Sequence, residues 1–219
     1  MRVPLLLAAG ALLSSCSVLG SRPQDGQEID WFQSDYYAGV TFGQSQFDVS
    51  ASDIDRALAD LGYATDTDLD DTDLAFQAYV GYRFDGPFAV ELGYVNLGQI
   101  ESTIEATPTN NDLFLDDVAD VHPVLGRGAQ LQARWFAWAN ERVEVSVGAG
   151  VWFWEGDMEA AAGTGERVEI SRDGIDPTVG IAATIGLKGR WDLRAAWDRY
   201  YLDDEAADAF LIGLQVGLY

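Results

Sequence analysis

The chain has one cysteine, Cys16, so no intramolecular disulfide can form. It has one histidine, His122, so catalysis through a histidine base has a single candidate. Lys and Arg number 13 against 36 Asp and Glu, a formal net charge of −23. Phosphate backbones are bound by basic surfaces, so this balance argues against nucleic acid as a partner. Beyond the N-terminus, no apolar run reaches the roughly 18 residues that a transmembrane helix requires. No zinc-ligand spacing, phosphate loop or dinucleotide fingerprint occurs, so neither metal nor cofactor is expected.

What is present suits strands. The 219 residues fit one domain, and 48% hydrophobic content with a mean hydropathy of −0.04 argues against global disorder. Glycine (23) and the aromatics (7 Trp, 9 Tyr, 10 Phe) are abundant beside only 6 Pro, a mixture that favours long strands and tight turns. The beginning is different. Arg2 precedes an uncharged apolar stretch, Val3 to Leu13, which fits the core of an export signal and is too short to span. It runs into Leu13-Ser14-Ser15-Cys16, which resembles a bacterial lipobox, and that resemblance implies lipidation of Cys16. Val18 and Gly20 offer a second cleavage point after residue 20. The expected organisation is a signal peptide over 1–15, a periplasmic linker over 16–34 and one barrel domain over 35–219.

From Tyr36 onward, alternation with a period of two residues dominates. Tyr36, Ala38, Val40 and Phe42 share one face, against Tyr37, Gly39, Thr41 and Gly43. Seven further segments repeat the pattern, over 74–84, 88–94, 130–135, 143–151, 178–186, 191–198 and 210–218. In the fifth segment, Val143, Val145, Val147, Ala149 and Val151 oppose Glu144, Ser146, Gly148 and Gly150. Short turns at Asp85-Gly86-Pro87, 139–142 and 188–190 alternate with long connections over 48–73, 100–127 and 155–177, and a shorter fourth near 202–208. Even strand number with alternating short and long connections predicts an all-β, eight-stranded antiparallel up-and-down transmembrane barrel, its short turns periplasmic and long loops outside.

The choice of a membrane barrel over a soluble one rests on the second face. A soluble barrel points its apolar face inward. Here the opposing face is small, polar and charged at mid-strand, which suits lipid outside and a polar lumen within. Aromatics gather near strand ends in two groups. Tyr36, Tyr82, Phe84, Phe88, Trp135, Trp138 and Trp191 form one, and Phe42, Phe76, Tyr94, Phe153, Trp197 and Tyr201 the other. Two such girdles are expected at the two membrane interfaces.

Tyr37-Ala38-Gly39-Val40, Leu58-Ala59-Asp60-Leu61-Gly62-Tyr63, Val80-Gly81-Tyr82-Arg83-Phe84 and Ala89-Val90-Glu91-Leu92-Gly93-Tyr94 together resemble the OmpA-like outer-membrane barrel family over about 35–219. The resemblance implies an outer-membrane location with both termini periplasmic. It also implies that Glu91 joins a lumen network of charges. Depth counted from the short turns places Glu91, Arg134 and Arg194 together, and Glu144, Arg83 and Asp192 nearer the periplasmic mouth. A lone lumen charge costs several kcal/mol, so Glu91 is expected to pair with Arg134 or Arg194. Two departures matter. Leu218 holds the phase of the family's terminal aromatic and Tyr219 follows it, so the signal for the barrel-assembly machinery is shifted. The resemblance covers the transmembrane part only, so cell-wall anchoring through the family's peptidoglycan-binding domain is not expected from it.

The long connections carry the acid: Asp66, Asp68, Asp70, Asp71 and Asp73; Asp116, Asp117 and Asp120; Asp203, Asp204 and Glu205. Alternating aspartates suit Ca²⁺, but the run from Asp66 lacks an EF-hand's glycine at position six, and Gln77 stands where its glutamate belongs. A solvated acidic surface is the plainer reading, with divalent ions bridging to lipopolysaccharide phosphates as a middle one. Residues 52–61 predict a short helix, with Ile54, Leu58 and Leu61 on one face, Ser52 and Asp55 as its capping pair and Gly62 at its end. His122 lies near Asp116, Asp117 and Asp120, but no nucleophile stands at a recognisable spacing. The expected function is structural or surface-interacting, through acidic loops. The alternatives are a narrow channel gated by the lumen salt bridges and, behind it, a barrel enzyme acting on lipid A or peptide.

Overall fold

The computed structural model describes residues 35–99, 101–106, 113–114, 117–118, 125–161, 167–202 and 205–218. Among the described residues the principal elements follow in order: β1 (Tyr36–Phe47), α1 (Ala51–Asp60), β2 (Thr65–Asp70), β3 (Thr72–Arg83), β4 (Phe88–Asn96), β5 (Glu101–Ala106), β6 (Arg127–Ala139), β7 (Val143–Ala161), β8 (Arg167–Gly186), β9 (Trp191–Leu202) and β10 (Glu205–Leu218). Eight of them close into an antiparallel barrel in the order β1-β10-β9-β8-β7-β6-β4-β3. Closure is made at β1, where Tyr36 stands opposite Leu218 on one side and Tyr82 on the other. The barrel wall therefore has no free edge, which is what lets a backbone satisfy its hydrogen bonds inside hydrocarbon.

Alternation decides which side chains face where. Val40, Phe42, Val80, Leu92, Leu131, Ile181, Ile212 and Leu214 are exposed, while their strand neighbours Thr41, Glu91, Gln132 and Gln215 are buried. The outward apolar band on β7 runs from Val143 to Phe153, a rise of about 25 Å at ~3.3 Å per residue and a tilt of about 40°. That height matches the hydrocarbon core spanned by small barrels. Beyond Phe153 and its partner Ile175, the next outward pair is Glu155 and Asp173, so the band ends in charge. The rings expected in the two girdles lie outside the lumen, Tyr36, Phe88, Trp138 and Trp191 at the short-turn end and Phe42, Tyr94, Phe153 and Tyr201 at the loop end among them.

The connections at the loop end differ from expectation. The segment read as a loop over 155–177 is largely ladder: β7 and β8 stay paired out to Ala161 and Arg167, well past their neighbours. No apolar alternation is needed there because that ribbon stands clear of lipid. The first long connection holds α1 and β2, and β2 pairs with β5 from the second, Asp66 opposite Glu105 and Asp70 opposite Glu101. The fourth is shorter than expected, since β9 reaches Leu202 and β10 starts at Glu205. α1 begins earlier than predicted. Ser50 caps it, its backbone N–H donating to Asp53, while Asp55 accepts instead from Thr65 (2.8 Å) and Thr67 (2.7 Å). Ile54 and Leu58 are buried against Phe114 and Val118, but Leu61 is exposed, since the helix has ended before it. Gly62 follows at φ 96°, the left-handed geometry that lets a chain leave a helix.

Candidate functional site: the barrel lumen

The lumen is filled by layers of side chains from facing strands. At the short-turn end, Arg83 on β3 donates two hydrogen bonds to Glu144 on β7, both 2.7 Å, across the barrel. The Arg83 guanidinium rests on the Phe136 ring, 3.9 Å from its centre. In the same region Asp192 accepts from Gln215 at 3.2 Å, and Gln215 accepts from the Tyr79 hydroxyl at 3.1 Å.

The next layer centres on Glu91 of β4. Arg194 on β9 grips its two oxygens at 2.7 and 3.0 Å, Arg134 on β6 donates through Nε, and the Tyr37 hydroxyl donates at 2.8 Å. A paired-guanidinium grip of this kind is among the strongest hydrogen-bonded arrangements available to a carboxylate. Arg194 also lies over the Tyr79 ring at 4.3 Å. Asp198 stands 3.5 Å from Arg134, so a second carboxyl group faces the two guanidiniums. All four are shut away from solvent: Arg134 is 1% exposed, Arg194 2%, Glu91 3% and Asp198 0%.

Glycine makes room for this layer. A Cβ on Gly39 would lie 2.3 Å from the Tyr79 hydroxyl, and one on Gly81 would lie 2.2 Å from Tyr37. Each tyrosine folds across its glycine partner on the neighbouring strand, Gly39 opposite Tyr79 and Gly81 opposite Tyr37. That is how two large rings and two guanidiniums fit a narrow barrel.

Toward the loop end, polarity falls away. Gln77 donates to Gln130 at 2.8 Å, and Tyr200 donates to the same oxygen at 3.4 Å. Above them Trp152 stacks on Trp154 with ring centres 5.9 Å apart, and Tyr200 meets Trp152 edge-on at 4.9 Å. Phe47, Leu97, Leu125 and Leu202 complete an apolar stopper. Trp154 donates to Asp176 at 2.7 Å, which fixes the ring over the mouth.

The structure brings together Glu91, Arg134 and Arg194, with Glu91 bound to both arginines. It separates Arg83 and Glu144 into a second pair, and it gives Asp192 an amide partner. Sequence reasoning placed Gln77, Gln130 and Asp198 on the polar face of their strands without giving them partners, and gave no role to Trp152, Trp154 or Tyr200. The signal was available: each continues the inward phase of its strand, Trp152 and Trp154 following Gly148 and Gly150. Cys16, His122, Asp116, Asp120, Asp203 and Asp204 lie outside the described residues.

At the loop end α1, β2 and β5 form a cap over their own small apolar cluster. Thr67 faces the helix, while Asp66, Asp68 and Asp70 face solvent. The Asp55 carboxyl is held below its ordinary value by the hydrogen bond from Thr67 against a smaller burial penalty, with Thr65 adding to it. The Tyr63 hydroxyl, donating to Asp117 at 2.6 Å, is pushed up by that bond. Among the described residues no group of three His, Cys, Asp or Glu is placed to hold a metal ion.

A family model described as the OmpA-like transmembrane domain matches residues 32–208. Among solved structures, the crystal structure of Neisserial surface protein A matches with a TM-score of 0.52 at 13% identity, covering 84% of this chain and 98% of that one. The N-terminal β-barrel domain of Pseudomonas aeruginosa OprF matches at 0.48 and 11% identity, covering 84% and 97%. The Yersinia pestis attachment invasion locus protein Ail, in complex with the heparin analogue sucrose octasulfate, matches at 0.43 and 14%, covering 83% and 98%. At these identities the likeness bears on fold alone. No curated protein matches this chain.

Proposed function

The chain belongs to the OmpA-like transmembrane domain family and is a small outer-membrane β-barrel; from that premise we propose a structural and surface-interacting role, with a closed lumen and an acidic cap as the contact surface. The filled lumen carries the reading. Glu91, Arg134 and Arg194 are knotted at mid-barrel beneath a stopper of buried rings. In this reading the short turns and both termini are periplasmic, and α1, β2 and β5 stand outside the cell. The leader over 1–15 is removed and Cys16 lipidated, with cleavage after 20 as the alternative. The last strand is read by the barrel-assembly machinery. Asp66, Asp68 and Asp70 meet lipopolysaccharide phosphates through divalent cations. Calorimetry showing no Ca²⁺ or Mg²⁺ binding at millimolar levels would remove that last element.

One observation favours a second reading, a narrow gated channel: a single carboxylate, Glu91, holds both mid-lumen arginines. Planar-bilayer recording separates the two. The closed-barrel reading expects no sustained conductance in the wild type and none gained in Glu91→Ala. A step conductance that Glu91→Ala changes supports the gate. The family is one of membrane barrels, which supports a non-catalytic role; an activity on lipid A or peptide that His122→Ala abolishes would overturn it.

A further inference from the structure

Six of the 13 Lys and Arg fall in two groups. Arg83, Arg134 and Arg194 are in the lumen. Arg142, Lys188 and Arg190 sit on two short turns, between β6 and β7 and between β8 and β9, all three exposed. Those turns are neighbours. Gly186 at the end of β8 donates to the Arg142 carbonyl at 2.7 Å, and Gly217 on β10 donates to that of Arg190 at 3.0 Å. The Asn140 side chain accepts from the backbone of Arg142 (2.9 Å) and Val143 (2.8 Å), which fixes the first turn. Trp138 and Trp191 flank the cations from the outward face of the wall, 51% and 46% exposed. Glu141 is the one acidic residue on these two turns.

The turn between β3 and β4 stands across the barrel from the β8–β9 turn and carries the opposite sign. It holds Asp85, and Asp35 is tied beside it, its carbonyl accepting from Arg83 N–H at 2.7 Å. The short-turn rim is thus acidic on one side and basic on the other.

We propose that Arg142, Lys188 and Arg190, with Trp138 and Trp191 beside them, form a binding site for the anionic phosphodiester headgroup of a membrane phospholipid. Tryptophan at this depth marks the headgroup region, and cations on the turns just beyond it meet phosphate. The chain's net charge does not oppose this. The acidic cap lies a barrel height away, about 25 Å, and a Debye length of ~8 Å at physiological salt screens it. Which leaflet supplies the lipid rests on the orientation proposed above; the site itself does not, because both barrel ends are open to lipid in a micelle.

The test is lipid retention by the folded full chain, counted by native mass spectrometry after exchange from mixed phosphatidylglycerol and phosphatidylcholine. Phosphatidylglycerol is expected to be retained in preference. The triple variant Arg142→Gln, Lys188→Gln, Arg190→Gln should retain roughly tenfold less or lower still, with its heat-dependent gel shift intact. Arg56→Gln, on the cap, should retain as much as the wild type. Should the triple variant not fold, Lys188→Gln alone serves, and an unchanged lipid count in it overturns the proposal. Equal retention of the two lipids, preference for lipopolysaccharide, or displacement by millimolar inorganic phosphate would overturn it too.

Discussion

The lumen and the loop cap both hold carboxylates, yet the two regions use them in opposite ways. Glu91 is wrapped by two guanidiniums and a tyrosine hydroxyl with water excluded. Asp53 binds Arg56 at 2.8 Å on the surface of α1, where both side chains are more than half exposed. Burial makes the first arrangement obligatory, because a charge left unpaired there keeps its desolvation cost. Exposure makes the second nearly optional, because water and salt replace a lost partner. Ionic contacts of similar length therefore carry different weight, and depth decides which.

The largest way to break this contrast is Glu91→Gln. It takes from Arg134 and Arg194 the carboxylate they share, leaving only Asp198 beside Arg134, and is expected to cost about 3–5 kcal/mol. Urea unfolding followed by the folded-to-unfolded gel shift measures it. Replacing Glu91, Arg134, Arg194 and Asp198 together with apolar residues of similar volume should recover most of that loss, since the paired charges have no net advantage over a packed core. A second prediction concerns space. Gly39→Ala drives a methyl into the Tyr79 ring and should cost about 1–3 kcal/mol by overpacking. The same substitution at Gly62 meets no neighbouring atom, and its smaller cost is backbone strain at φ 96°.

On the cap, Leu58→Ala empties the small cluster under α1. Proteolysis within 48–73 should quicken severalfold while the barrel's unfolding midpoint stays in place. Acid gives a gentler version. The Asp55 carboxyl sits below its ordinary value of 3.8, so its contribution is complete above that pH and lost as pH falls through the lowered value. Protection of the Thr67 amide, relative to its intrinsic exchange rate, should fall only in that acidic window. Smallest of all, Arg56→Ala should leave both cap and barrel unchanged by either measure.

The barrel was legible because lipid and lumen impose opposite demands on successive residues. Val143 to Phe153 could be placed on one face from the alternation alone. The cap was not legible in the same way. Thr65, Thr67 and Leu69 do alternate with Asp66, Asp68 and Asp70, but the strand is short and aspartate is a poor strand former. Its partner β5 comes from a different connection, so no local pattern announces the pairing. The β7–β8 extension was hidden for a related reason: once clear of the membrane, a ribbon held by backbone hydrogen bonds places little constraint on composition. In the lumen, depth counting located Glu91, Arg134 and Arg194. It left Asp198 on the inward face without a partner, and it missed the tryptophan stopper because inward aromatics look like girdle aromatics until the phase is followed past Gly150.

The inside-out barrel is tested most directly by gel mobility after outer-membrane fractionation. The unheated protein should run apart from the boiled one, and protease should trim it only at the loop end. A soluble protein with one position on the gel, heated or not, would contradict the membrane barrel and turn its apolar face inward.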